Sequence, residues 1–194
     1  MKFTFIAHVR QTDKCPQSVQ THLVETSELA KIFARKLNLE PVGELLGLMH
    51  DFGKYSLKFQ KYIHDETGLF NPDLDDEEST PNGSKVDHST AGAQWVYREL
   101  RKFGAEQGIG ELFGQMLGLC IASHHGEGLI DCLDGEGNPK WIERFNKTDE
   151  LTHLAECEQN ADEGVQQKAH ELAGENLIRN LLKVKRAEIN QTIF

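Results

Sequence analysis

What this chain lacks narrows its class before any motif is read. Its four cysteines, Cys15, Cys120, Cys132 and Cys157, lie far apart with no CxxC pair. Neither a zinc knuckle nor a disulfide framework is indicated, and reduced thiols in a cytoplasmic protein are the simplest account. Long hydrophobic runs are missing too. The apolar start Phe3-Thr4-Phe5-Ile6-Ala7 is interrupted by His8 and Arg10 before a signal-peptide core or a membrane span could form. Two glycines followed by Lys-Ser or Lys-Thr in the P-loop pattern do not occur, which excludes that phosphate cradle. Positive charge is scarce: 21 basic residues face 31 acidic ones for a net charge of -10, so the surface as a whole lacks the basic character of a nucleic-acid binder. Strand-like alternation is convincing nowhere, and no internal repeat is present.

What is there is helical period. The 194 residues suit one domain with a real core. Over residues 16–37, Val19, Leu23, Thr26, Ala30, Phe33 and Leu37 step by three and four and share a face bordered by His22. Asn38 to Gly43 breaks that period. Val42, Leu45, Leu46 and Met49 then mark a second helix that ends at His50-Asp51 and is closed by Gly53. Ser56 can cap a third helix carrying Phe59, Tyr62 and Ile63. Residues 65–86 lose all period and concentrate Asp65, Glu66, Asp73, Asp75, Asp76, Glu77 and Glu78, an acidic surface loop. Helical pattern resumes after Asp87 with Ala93, Val96, Tyr97, Leu100 and Phe103 on the buried side. Leu112 to Ile121 forms another apolar helix running into Ser123-His124-His125-Gly126. A Gly-rich loop spans Gly126 to Pro139, and the rest, from Trp141, is helical and more polar. The expected fold is all-α.

The histidines at these helix ends form a scattered ligand set: His22, His50-Asp51, His88 and His124-His125. Imidazole nitrogens with a carboxylate suit Mn, Fe, Co, Ni or Zn, and the absence of thiolates argues against a closed structural zinc site. His50 and Asp51 would point about 100° apart on one continuous helix, but at a helix terminus both can reach a common point. The negative end of the helix dipole favours a cation there. Lys54, just beyond Gly53, either reaches the same site, where its ammonium would stabilise a phosphoryl transition state, or is an ordinary surface lysine. Asp87-His88-Ser89 reads as a helix N-terminus, with Gly92 one turn on leaving room for metal or substrate against the backbone. Ser89 either contacts substrate or merely caps. His8, His64, His153 and His170 read as ordinary surface or core histidines. Bound cations, together with the crowding of acid into one loop, reconcile the net charge with a phosphate-bearing substrate.

Thr21-His22-Leu23, Gly47-Leu48-Met49-His50-Asp51-Phe52-Gly53-Lys54, Asp87-His88-Ser89-Thr90-Ala91-Gly92-Ala93 and Ser123-His124-His125-Gly126 together resemble the HD nuclease domain of the type I CRISPR-associated nuclease-helicase. The resemblance extends from about Ile6 to Asp131 and covers the last third only loosely. It implies an all-α HD-domain helical bundle, residues 1–194 forming one nuclease domain at the N-terminal part of a longer nuclease-helicase. The activity implied is endonucleolytic or exonucleolytic hydrolysis of single-stranded DNA in CRISPR interference, by a two-metal mechanism. His22, His50 and Asp51 would hold one divalent ion. Asp51 would bridge to a second held by His88, His124 and His125. Mn, Fe, Co and Ni lead the candidates, with Mg and Zn also admitted.

Asp51 and Lys54 would be catalytic, and Lys54 and Ser89 would bind substrate. A helicase domain, on the same or a separate chain, and a surveillance complex with guide RNA are the implied partners, with no membrane involved. In one respect the chain departs from the family. A further Asp ligand is usual far downstream of the double histidine, and none of Asp131, Asp134, Asp149 and Asp162 sits in the apolar setting that motif has. Two other readings share the residues: an HD phosphohydrolase of nucleotides or cyclic nucleotides, and a scaffold that has lost its chemistry.

Overall fold

A computed structural model describes residues 4–68, 86–104, 108–125, 136–138 and 140–192, with side chains to residue 183. Among the described residues the fold is helical, as the periodicity predicts, except for one short hairpin at the start. Strand β1 (Ile6–Val9) pairs antiparallel with β2 (Pro16–Ser18). Strands of four and three residues are too short to show a period of two, which is why no alternation announces them.

Helix α1 (Val19–Ala34) starts where Ser18 Oγ accepts the Thr21 amide, at 3.1 Å. It begins after the hairpin rather than at residue 16, and its buried side is Val19, Leu23 and Ser27. The C-terminal half of the expected stripe stays outside: Phe33 and Leu37 are exposed. The reason lies in α2 (Glu40–Met49), which crosses α1 very closely. A Cβ on Gly47 would lie 2.7 Å from Ser27 Cα, so the small residues hold the crossing and the large apolar ones fall beside it.

A 3-10 turn over Phe52–Tyr55 follows α2, and Ser56 then caps α3 (Leu57–Thr67) by accepting the Phe59 amide at 3.2 Å. Helix α3 includes Asp65 and Glu66 and ends at Gly68 in the left-handed region, so the acidic stretch begins later than expected. Residues 69–85 lie outside the described residues, as does most of the expected Gly-rich loop, 126–135 and 139.

Helices α4 (Ser89–Leu100) and α5 (Ile109–Ala122) form a second close pair. Beyond them come α6 (Lys140–Phe145), α7 (Asp149–Thr152), α8 (Leu154–Asn160), α9 (Glu163–Leu172) and α10 (Glu175–Thr192). Leu23, Leu45, Met49, Phe52, Tyr55, Val96, Leu100, Ile121, Cys157 and Leu177 make one continuous buried core. Among the described residues no helix is long and apolar enough to cross a membrane.

Two glycines set how the site-bearing segments meet. Gly53 does not close α2 with a left-handed turn. Its amide donates to His88 O at 3.1 Å, and a Cβ there would overlap the same carbonyl. Gly92, expected to leave room for metal or substrate, instead lets α4 lie against the carbonyl of Met49, which a Cβ would overlap. Both contacts draw the end of α2 against the start of α4. The polar tail braces the same turn from behind: Cys157 Sγ reaches Gly53 O at 3.7 Å, Asn160 Nδ2 donates to Tyr55 O at 3.0 Å, and Tyr55 donates to Asp162 Oδ2 at 3.0 Å.

Candidate metal centre

Four helix ends and the hairpin deliver their side chains to one buried carboxylate, that of Asp51. His50 follows the last residue of α2 and keeps helical backbone angles. Asp51, at φ -114° and ψ 24°, has left the helix, so two neighbours in sequence reach one point. His22 comes from the first turns of α1, His88 from the residue before α4, and His124 and His125 from just past α5.

The two oxygens of Asp51 divide the cluster. Oδ2 lies 2.9 Å from His22 Nε2, 3.2 Å from His50 Nε2 and 2.8 Å from Lys54 Nζ. Oδ1 lies 3.1 Å from His124 Nε2, 3.3 Å from His88 Nε2 and 3.6 Å from His125 Nε2. Each oxygen thus has its own set of imidazoles. His22 Nε2 and His50 Nε2 are 3.1 Å apart, and His88 Nε2 and His125 Nε2 are 2.5 Å apart.

The donor chemistry fits divalent ions. His50 Nδ1 lies 2.8 Å from Gly47 O, His88 Nδ1 2.9 Å from Val86 O, and His124 Nδ1 2.7 Å from Ile121 O. A carbonyl only accepts, so in each ring Nδ1 carries a proton, and in the neutral imidazole Nε2 presents a lone pair to Asp51. Lone pairs converging on a carboxylate repel one another unless a cation, or a proton on each ring, stands among them. A divalent ion meets the need at once, whereas adjacent imidazoliums would repel. Ligand atoms about 2.1 Å from a shared ion lie about 3.0–3.4 Å from one another, close to the spacing seen around Oδ2. The ends of α2 and α5 point their negative dipoles the same way.

Without an ion the rings would have to donate from Nε2: burial pushes the Asp51 carboxyl up, but hydrogen bonds from His124, His22, His50 and His88 more than reverse this and hold it well below the usual carboxylate range. Burial, with His124 and His88 close by, lowers His125 to about 4, which leaves the neutral imidazole that ligates metals. Burial lowers Lys54 as well, partly offset by Asp51.

Lys54 is no surface lysine. It is 2% exposed and aimed into the cluster, donating also to Ala7 O at 3.2 Å and to His8 Nε2 at 3.0 Å. Ser89 is buried, with its hydroxyl 3.3 Å from Arg144 Nη1 and 3.5 Å from Asp87 Oδ1 and Ala122 O; none of these partners belongs to the cluster. His64, His153 and His170 also stand apart: His153 faces Glu156, and His170 lies against Trp95.

His8, read from the sequence as an ordinary histidine, does not stand apart. Its ring sits 4.6 Å from that of His22, and one of its nitrogens falls within 4.8 Å of donor atoms of both His22 and Asp51. Burial, then Lys54 and His22, lower it to about 4. The one signal was a histidine interrupting an apolar run.

No curated protein matches the chain. A protein-family model described as "Cas3, HD domain" matches residues 5–175, well past the limit near Asp131 that the motifs alone suggest and through the α8 and α9 segments that brace the Asp51 turn. The match takes in every element that meets at Asp51, and the chain therefore belongs to the Cas3 HD-domain family, the metal-dependent HD hydrolases of CRISPR systems.

Proposed function

We propose that this domain hydrolyses phosphodiester bonds of single-stranded DNA during CRISPR interference, with two divalent ions on the two sides of Asp51. The observation that carries this reading is the division of the cluster by one carboxylate. His22, His50 and Oδ2 make one donor set, and His88, His124, His125 and Oδ1 make another. Nitrogen and carboxylate donors without thiolate suit Mn, Fe, Co or Ni, and admit Mg or Zn. Such ions would supply an activated water and stabilise the attacking and leaving oxygens of the ester.

The chain's own residues do the positioning. The backbone carbonyls of Gly47, Val86 and Ile121 fix three imidazoles with Nε2 inward, and Asp51 holds the two donor sets at a set separation. The Lys54 ammonium, brought to Oδ2, is placed to stabilise charge growing on a phosphoryl oxygen. A cleft of about 570 Å³ opens beside His8, lined by Arg10, Gln17, Ser18, Thr21 and Glu25 among others, with none of the six proposed ligands in its wall. A cleft open to solvent accommodates a polymer better than a closed nucleotide pocket does. A helicase, on the same chain or another, and a guide-RNA surveillance complex in the cytoplasm would deliver the strand.

Incubation with Mn and labelled single-stranded DNA, beside a panel of nucleotides and cyclic nucleotides, tests the reading. Cleavage of DNA that stops on chelation is expected. Hydrolysis of nucleotides with DNA left intact would assign the site to small-molecule chemistry instead.

A further inference from the structure

His8 belongs to neither donor set of the two-ion arrangement, yet it touches Lys54 beside Asp51. The Lys54 ammonium is almost wholly buried, and its three hydrogens have three acceptors: Asp51 Oδ2 at 2.8 Å, His8 Nε2 at 3.0 Å and Ala7 O at 3.2 Å. Because Lys54 can only donate, His8 Nε2 must accept, so its lone pair points into the cluster like those of His50 and His124. A cation position is therefore already defined between His8 and Asp51, and a cation stands in it. His8, His22 and Asp51 also offer donor atoms that lie within 4.8 Å of one another. Among the described residues, Asp51 supplies the one carboxylate in either donor group, so a further imidazole is the available way to enlarge the set around Oδ2.

We propose that His8 is a further ligand of the ion on the Oδ2 side, and that this ion and the Lys54 ammonium exchange at one position. The proposal rests on the two-ion reading and deepens it. A divalent ion beside a fixed ammonium in a buried site is strongly repelled, so binding on the Oδ2 side expels Lys54 from its contacts with His8 and Asp51. His8 then keeps a cation partner throughout, first the ammonium and afterwards the metal. The lysine, freed from Oδ2 but still tethered beside it, becomes available to a substrate phosphate. Metal loading and release of the phosphate-binding cation are thereby one event.

The two residues are predicted to act in opposite directions on metal affinity, which separates ligation from simple positioning. Co(II) would be titrated into the full chain, with visible absorption and calorimetry reading the stoichiometry and affinity of each site. His22→Ala identifies which site is the Oδ2 one. His8→Ala is expected to weaken that site by more than about 10-fold and leave the other unchanged. Lys54→Met, which removes the competing cation, is expected to tighten it. His8→Gln keeps an acceptor for Lys54 in a side chain that ligates poorly, guards against a folding defect in the alanine variant, and is expected to weaken the site as alanine does.

If His8→Gln binds as the wild type does, or if His8→Ala tightens the site as Lys54→Met does, His8 merely holds the lysine and the inference is overturned. Two wild-type affinities in every His8 variant overturn it as well, while the two-ion reading stands. A wild-type chain that takes up no ion on the Oδ2 side overturns both.

Discussion

Gly92 in the first turn of α4 faces the carbonyl oxygen of Met49 at the end of α2, and a Cβ at Gly92 would overlap that oxygen. Met49 immediately precedes His50-Asp51, and Gly92 lies one turn beyond His88, so the contact fixes the distance between the two halves of the cluster. The obstacle is backbone, which cannot rotate aside. Gly92→Ala should therefore cost about 1–3 kcal/mol as an overpacking defect. A domain of this size loses about 2–4 °C in Tm per kcal/mol. A thermal melt checks the stability, and metal titration should show the ion shared by His88 and Asp51 bound more weakly. A Gly92→Ala protein with unchanged Tm and metal affinity would contradict this account of the helix crossing.

The helices were legible in the sequence because their apolar residues repeat at the helical period, and the candidate cluster around Asp51 because its histidines sit at or near helix ends. Other features left no such trace. Strand β1 has four residues, too few to reveal a period, and so His8 was read as an isolated histidine. Gly92 signals close approach without saying what approaches, and the answer, Met49 O, depends on a partner helix 43 residues back in the chain. Ser89 illustrates the same limit. A serine after the motif histidine can face substrate or the interior, and only the positions of Ala122 and Arg144 show which groups it meets. The exposed Phe33 shows periodicity overreaching, since the helix that covers α1 approaches along its small residues.

Asp51→Asn keeps the size of the side chain and removes its charge. The amide has one oxygen to offer and cannot serve both donor sets. Where loss of a group that merely supports a ligand costs about 10–100-fold in metal affinity or activity, loss of the shared ligand should cost more. Cleavage of single-stranded DNA is expected to fall by more than about 100-fold, and elemental analysis should show fewer ions per chain. An Asp51→Asn protein that still cuts DNA in a metal-dependent manner would refute the bridging role.

Glu44 offers a pH test away from the metal centre. Its buried carboxylate on α2 meets Lys168 Nζ at 2.9 Å and Lys31 Nζ at 3.1 Å. Burial raises its pKa, but the two lysines more than reverse this and hold it below the ordinary value of 4.5. A carboxylate lowered in the folded state binds its proton more weakly there than in the unfolded chain. Its stabilisation is therefore complete above about pH 4.5 and fades as the pH falls through the folded value. Glu44→Gln should lose about 1–2 kcal/mol at pH 7, at the low end for charged hydrogen bonds because both lysines are partly exposed. Against the wild type that deficit should shrink at pH 3, as denaturant melts at both pH values would show; a deficit independent of pH would mean that the ion pairs are not its source.

Metal removal provides the broadest test, because it needs no substitution. Inward lone pairs on His50, His88 and His124 around a buried carboxylate are costly to assemble without a cation, and the unfolded chain has no comparable site. An ion that binds only the folded state stabilises it by mass action, by about 2.7 kcal/mol at one hundred times its Kd. At about 2–4 °C per kcal/mol, saturating Mn or Co should raise Tm by about 5–11 °C over the chelated protein. The rise should continue with concentration, since each tenfold excess adds about 1.4 kcal/mol. The same titration on His124→Ala separates specific binding from general salt effects, because that variant loses a ligand on the Oδ1 side and should show a smaller rise. Equal shifts in the two proteins would place the stabilising ion somewhere other than this cluster.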